Sequence, residues 1–225
     1  MTLSELRALG YALDADAHAR LVRYVELLLE ANREVNLISR ASADQVWIAH
    51  ICDSLALLPL VADEQPENVL DLGAGGGLPS LPIACVYPEL DYVLIDATRK
   101  KVAAVEAIVG GIGLPRVRVA WGRAESLVED PALRKRFAAV TARAVGALSE
   151  LLPAAAGFIR PGGAGWFFKT AQAAGEEIAA AQKQAERWAM QHVENRPYRL
   201  PVSGAERVIV VYRKAASARN ATRRS

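Results

Sequence analysis

The stretch Val69-Leu70-Asp71-Leu72-Gly73-Ala74-Gly75-Gly76-Gly77-Leu78-Pro79 constrains the fold more than any other part of the chain. A short apolar run ends in an acid, passes into a glycine-rich turn and meets prolines suited to the first turn of a helix. Glycine alone takes positive φ without steric cost and lets a ligand lie against bare backbone. Four glycines within positions 73–77 therefore imply a turn pressed against something. A linker would not be flanked by apolar runs on both sides, Val69 to Leu72 and Leu78 to Ile83, so the reading is strand, turn, helix, with the turn as a nucleotide-type cofactor loop.

The spacing says which cofactor. The dinucleotide fingerprint G-x-G-x-x-G needs glycine at position 78, where this chain has Leu78. The register is instead Asp71-x-Gly73-x-Gly75-x-Gly77. A carboxylate beside the loop works against a pyrophosphate at the helix N-terminus, but suits the ammonium and sulfonium of S-adenosylmethionine. Tyr92-Val93-Leu94-Ile95-Asp96 is a second apolar strand ending in an acid, at about the distance where such folds hold ribose hydroxyls with a carboxylate. An NAD-dependent Rossmann-type oxidoreductase or a nucleotide sensor is the rival reading.

From residue 68 onward, strand and helix patterns alternate, which predicts a mostly parallel sheet covered on both faces. Strands are expected at 68–72, 92–96, 116–121, 137–141 and 166–168. A closing antiparallel hairpin, 196–200 with 207–212, turns at Ser203-Gly204. Helices are expected after Pro79, from Thr98 to the glycines at 110–113, over 148–159 and over 173–193, with a turn at Pro161-Gly162-Gly163. Before the sheet, a helix is predicted over 14–36, and a second from a Ser42/Gln45 capping box to a stop at Pro59. The organisation is thus an N-terminal helical extension (1–62), a core (63–213) and a basic tail (214–225). On the second helix His50 and Ser54 share a face with Asp53 alongside, either a functional face or a buried set tying helix to sheet.

Ligands in open α/β sheets lie over the carboxyl ends of the strands. Reading those ends in order gives Gly73 to Gly77, Asp96, Ala124 and Glu125, Arg143 and Lys169. Asp96 would accept from ribose hydroxyls, while Ala124 and Glu125 would meet adenine. Arg143 and Lys169 would offer cations beside the transfer point.

Lys plus Arg exceed Asp plus Glu only by 27 to 25, so net charge names no partner. The basic residues gather at the end, at Arg213, Lys214, Arg219, Arg223 and Arg224, as a solvated end or an arm on nucleic acid. Cys52 and Cys85 stand apart with no ligand spacing, so neither a disulfide framework nor a metal is expected. Met1 to Glu5 lacks a basic leader and no apolar run reaches membrane length, which predicts a cytoplasmic protein away from membranes; a monomer is expected.

The set Asn36-Leu37-Ile38, His50-Ile51-Cys52-Asp53-Ser54, Asp71 to Pro79, Asp96 with Lys100, Arg123-Ala124-Glu125, Thr141-Ala142-Arg143-Ala144 and Lys169 resembles the bacterial ribosomal RNA small subunit methyltransferase G family, also called glucose-inhibited division protein B. The likeness spans about residues 20–213. Gly76 stands where that family usually has proline, and Ser80 and Thr170 where it has glycine. The resemblance implies a class I (Rossmann-like) methyltransferase fold. It also implies S-adenosylmethionine as cofactor and N7 of a guanine in the decoding-region loop of 16S ribosomal RNA as acceptor, naked or in a small-subunit assembly particle. Another RNA or a small molecule is the alternative acceptor. It further implies that Gly73, Leu78, Ala124, Glu125 and Arg143 hold the cofactor, to which the reading of the loop and strand ends adds Asp71, Gly75, Gly77 and Asp96; Asn36, His50, Asp53 and Lys169, which match the family's motifs without an assigned role, are candidates for positioning the substrate. Amine-modifying methyltransferases commonly carry Asp/Asn-Pro-Pro-Tyr/Phe after strand four. This chain has Thr141-Ala142-Arg143-Ala144, and guanine N7 loses no proton, so no general base is expected.

Overall fold

Apolar side chains alternate along each central strand, and the two alternating sets bury against different helices. In the computed structural model, which describes residues 1–216, the strands are β1 (Asn68–Leu72), β2 (Asp91–Asp96), β3 (Val117–Trp121), β4 (Phe137–Arg143), β5 (Ile159–Thr170), β6 (Met190–Arg199) and β7 (Glu206–Lys214). They form one sheet in the order β3-β2-β1-β4-β5-β7-β6. The first five run parallel, and β7 is antiparallel to both neighbours. Order reverses between β1 and β4, and the glycine turn leaves the sheet at that switch point, where crevices form.

One face carries Val69, Tyr92, Leu94, Ala139, Trp166 and Val211. Against it pack α1 (Leu3–Ala8), α2 (Ala15–Ala31), α3 (Arg40–Ala43), a π-helical turn (Trp47–Cys52), α4 (Asp53–Leu55), α5 (Leu58–Glu64), α6 (Ser80–Val86) and α7 (Arg99–Ile112). The other face, with Leu70, Val93, Val140, Phe167 and Val210, is covered by α8 (Ala124–Leu127), α9 (Leu148–Phe158) and α10 (Ala171–Arg187). Residues 1–62 share one continuous core with the sheet, since Leu6, Leu21, Ile51 and Leu55 lie in the same cluster as Leu94.

Several expected boundaries are corrected. α1 adds to the expected elements, started by a reciprocal capping box of Thr2 and Glu5. α2 stops at Ala31, five residues early, because Asn32 turns its side-chain oxygen onto the N–H groups of Leu37 and Ile38 at 2.8 and 2.9 Å. The cap expected at Ser42 belongs to Ser39, whose hydroxyl accepts from the Ser42 N–H. Pro59 does not stop a helix but sits in the first turn of α5, where its missing N–H costs nothing. Thr98 makes no side-chain cap for α7; its own N–H donates to Asp96 Oδ1. Pro161 to Gly163 lie inside β5, as an irregularity in its pairing with β4, with Gly162 at φ +80°. α10 ends six residues early because Ala189 turns left-handed at φ +53° and starts β6, an edge strand that tolerates Pro197. Of the basic tail, Lys214 closes β7, and Arg213 is bound to Glu64; Arg219, Arg223 and Arg224 lie outside the described residues. No described helix is long and apolar enough to cross a membrane.

Candidate active site

The glycine turn is braced from two sides. Gly73 and Ala74 donate to the Ile95 carbonyl at 2.9 and 3.0 Å, and Gly75 donates to Asp96 Oδ2 at 3.0 Å. Asp96 Oδ1 accepts from Thr98 N–H at 2.7 Å. One carboxylate thus ties loop to β2 and fixes the turn that leads into α7, and each of its oxygens keeps a second lone pair for another donor. From the N-terminal layer, the buried Tyr24 hydroxyl donates to the Gly76 carbonyl at 2.9 Å, and Leu28 closes on the Gly76 Cα. Gly73 and Gly77 have φ of +69° and +89°, conformations that a side chain resists.

A cleft of about 490 Å³ opens beside this loop over the carboxyl ends of β1, β2 and β3, bounded by Gly73, Asp96, Gly122, Ala124, Glu125 and Val145. Its size is that of a small-molecule site. Its charged lining consists of Asp96, Glu125 and Glu150 against Arg123 alone, an excess of acid that disfavours a pyrophosphate and favours a cationic ligand. A larger open depression of about 850 Å³ lies between α7 and β3, with Glu106 and Arg118 as its charges. It faces away from the strand ends that carry the polar groups.

Asp71 lies beneath the loop. It is fully buried, its Oδ2 accepts the Ser80 N–H at 3.1 Å, and its Oδ1 has no hydrogen-bond partner. Burial pushes its carboxyl up to about 6, against the opposing pull of Ser80 and Arg143. Ser80 Oγ and Trp166 Nε1 are likewise buried without partners. Asp71, Thr141 and Trp166 occupy one row across β1, β4 and β5, so the unsatisfied groups cluster under the turn. Leu78 is also buried, in the core with Leu28.

A second constellation joins the N-terminal layer to β4. Arg143 donates to Asp53 Oδ2 at 2.8 Å, to the Ala49 carbonyl at 3.3 Å and to His50 Nδ1 at 3.0 Å. Tyr198 donates to Asp53 Oδ1 at 2.6 Å, and His50 Nε2 lies 2.8 Å from Ser42 Oγ. Accepting from a guanidinium requires Nδ1 to be bare, so Nε2 carries the proton and donates to Ser42. The π-helical turn makes the set possible, because its wider winding brings the Ala49 carbonyl, His50 and Asp53 together toward one guanidinium.

Burial pushes His50 down to about 4 from 6.5, and Arg143 adds to that shift while Asp53 opposes it. Between those values the unfolded chain binds the extra proton. The stability owed to neutral His50 is therefore full above about 6.5 and is lost as pH falls toward 4. The melting-temperature gap between wild type and His50→Ala should accordingly be wide at neutral pH and narrow as pH falls through that window; a constant gap would contradict this protonation state.

Lys169 is placed elsewhere again, between the Gly146 carbonyl and Glu177 Oε2. Asn36 is exposed on the α2–α3 loop, next to Leu37, whose carbonyl lies against Gly75. The structure thus brings Gly73, Gly75, Asp96, Ala124 and Glu125 together, and sets His50, Asp53 and Arg143 together in a separate buried group. Arg143 and Lys169 are both engaged by acids rather than standing free at the cleft. Tyr24, Ser80, Val145, Glu177 and Tyr198 also shape the site. Of these only Tyr24 carried a signal, as the polar-tipped member of an apolar helix face. Among the described residues no cluster of His, Cys, Asp or Glu is arranged to hold a metal, and both cysteines are buried and free.

The sequence profile of the family described as rRNA small subunit methyltransferase G matches residues 17–204. The chain belongs to that family. The rRNA small subunit methyltransferase G of Sorangium cellulosum is 43% identical over 177 residues, 78% of this chain and 73% of that one. The Myxococcus xanthus protein of the same name is 38% identical over 92% of this chain and 93% of its own. Among solved structures, a Klebsiella pneumoniae protein provisionally described as an O-methyltransferase superposes with a TM-score of 0.59 at 14% identity, covering 85% of this chain and 90% of that one. TrmN from Thermus thermophilus gives 0.53 at 18% identity, covering 72% and 48%. These two likenesses concern the fold alone.

Proposed function

We propose that the chain transfers the methyl group of S-adenosylmethionine to N7 of a guanine in 16S ribosomal RNA. The observation that carries this is the acid-walled cleft beside the Gly73–Gly77 turn, in a member of the rRNA small subunit methyltransferase G family. When bound, the cofactor supplies an electrophilic methyl group on a sulfonium. Gly73 lets it approach the backbone, Asp96 accepts from the ribose hydroxyls, and Ala124 with Glu125 addresses the adenine. The unpartnered Asp71 Oδ1 and the surplus of carboxylates stabilise the positive charge nearby. Arg33 and Arg40, exposed on either side of the Asn36 loop, suit RNA phosphates at the rim.

No proton has to be moved. Guanine N7 presents an in-plane lone pair, and His50 has both ring nitrogens committed, to Arg143 and to Ser42. The protein's work is alignment, an effect worth up to roughly 7–11 kcal/mol in favourable cases. Tritium transfer from labelled cofactor should appear in 16S RNA, offered naked or as small subunits, and not in total protein. Nucleoside mass spectrometry should find 7-methylguanosine. Single-turnover rates at saturation should be nearly flat from about pH 7 to 9, since the carboxylates, including Asp71, are ionised there while Lys and Arg stay charged. Label at an exocyclic amine or a ribose oxygen overturns the assignment.

A further inference from the structure

The loop between β4 and α9 is held from outside by a pair of charges to which the function above gives no task. Within that loop Ala144 has φ +57° and Gly146 φ +153°. Two such residues so close together, one of them bearing a Cβ, keep their shape only where the surroundings over-determine it. Here they do. Lys169, the penultimate residue of β5, donates to the Gly146 carbonyl. Its ammonium lies 2.7 Å from Glu177 Oε2 on α10, and that same oxygen accepts the Leu148 N–H at 2.9 Å.

The carboxylate therefore fixes the first N–H of α9, and the ammonium fixes the carbonyl two residues earlier. An acid at a helix N-terminus is favoured by the helix dipole as well. The Lys169 side chain is only 9% exposed, which separates this pair from ordinary surface ion pairs.

Immediately before the first of the two anchors lies Val145. A Cβ built on Gly73 would stand 2.8 and 2.9 Å from the Val145 methyl carbons, so the valine rests directly on the first glycine of the cofactor turn. It nonetheless remains 42% exposed and forms part of the cleft wall. A half-open apolar surface thus stands at the carboxyl end of β4, on the cleft wall beside the glycine turn. Its height over Gly73 is set by Gly146 and Leu148, and those are set by Lys169 and Glu177.

We infer that Glu177, acting through Lys169, is a positioning residue for methyl transfer, which holds Val145 at the depth where an acceptor base meets the donor. This rests on the function proposed above.

The test compares wild type with Glu177→Gln, Lys169→Met, their double variant and Val145→Ala, in single-turnover transfer to 16S RNA at saturating S-adenosylmethionine. Cofactor affinity is followed by calorimetry and active enzyme by titration. A displacement of about 1 Å at a reacting centre costs up to about a hundredfold in rate, so each single variant should lose about ten- to a hundredfold per active molecule. The double variant should lose no more than the worse single, since the two residues act as a unit. Cofactor affinity should stay near that of wild type in the Glu177 and Lys169 variants, while any weakening in Val145→Ala, which lines the cleft, is covered by saturation. Val145→Ala leaves the ion pair intact and removes an exposed side chain, so it should show the same loss even if the charge variants fold poorly. A lower melting temperature with an unchanged rate per active Glu177→Gln enzyme overturns the inference, as does an unchanged rate in Val145→Ala. Wild type that labels no RNA removes the functional reading and this inference together, whereas an active wild type matched by its variants removes this one alone.

Discussion

Replacing Arg143 with methionine is expected to cost roughly 3–5 kcal/mol of folding stability, the range seen when one partner of a buried ion pair is removed. For a chain of this size that lowers the melting temperature on the order of 10 °C. The reason is Asp53, not the arginine itself. Arg143 and Asp53 expose only 13% and 10% of their side chains, and without the guanidinium the carboxylate keeps one donor, the Tyr198 hydroxyl. The Ala49 carbonyl and His50 Nδ1 lose their donor at the same time. Adding Asp53→Asn to Arg143→Met removes the stranded charge while leaving an amide oxygen for Tyr198, so the double variant should recover much of the loss. Chemical denaturation of the three proteins decides it. A single variant within about 1 kcal/mol of wild type, inside the range of exposed pairs, would mean that the pair is solvated after all.

That network also shows where the chain was legible and where it was not. The order of the strands' carboxyl ends, the turn at Gly73–Gly77 and the carboxylate of Asp96 follow from local pattern, because apolar runs ending in an acid or glycine look the same in sequence and in space. His50, Ser54 and Asp53 could be seen to share a helix face, but whether that face met solvent or sheet depended on partners 90 or more residues away, which no spacing reveals. Arg143 and Lys169 looked like free cations for the same reason. What engages them, Asp53 and Glu177, comes from helices on opposite faces of the sheet. Residues 40–64 were the least legible stretch. A continuous apolar periodicity concealed breaks at the π-helical turn and at Leu57, between α4 and α5. β6 begins at Met190, well before the expected 196, because an edge strand needs little apolar pattern, and Ala189, whose left-handed turn begins it, is a residue type that signals helix.

Gly77→Ala is expected to have the other large effect, and to show how closely the turn is tied to the core beneath it. A Cβ at this position would lie 2.4 Å from Leu81 Cδ1 and 2.6 Å from its Cγ. Leu81 is fully buried on α6 and has nowhere to swing. The backbone is at φ +89°, which costs an L-residue about 1–2 kcal/mol before any contact is counted, and over-packing a core adds typically 1–3 kcal/mol. Relief can come only by lifting the turn from α6. That displaces Gly75 from Asp96 and the Gly76 carbonyl from Tyr24, and so reshapes the backbone of the proposed cofactor site. Gly77→Ala should therefore lower the melting temperature and weaken S-adenosylmethionine binding together in calorimetry. Gly110→Ala is the control: that glycine is inside α7, with open space where its Cβ would go and no positive φ, so the change should stabilise by about 0.5–1 kcal/mol and leave binding alone. A Gly77→Ala protein that binds like wild type would mean that the cofactor does not use this turn. One that binds weakly with an unchanged melting temperature would mean that the turn moves independently of the core, contrary to its contacts with Leu81 and Tyr24.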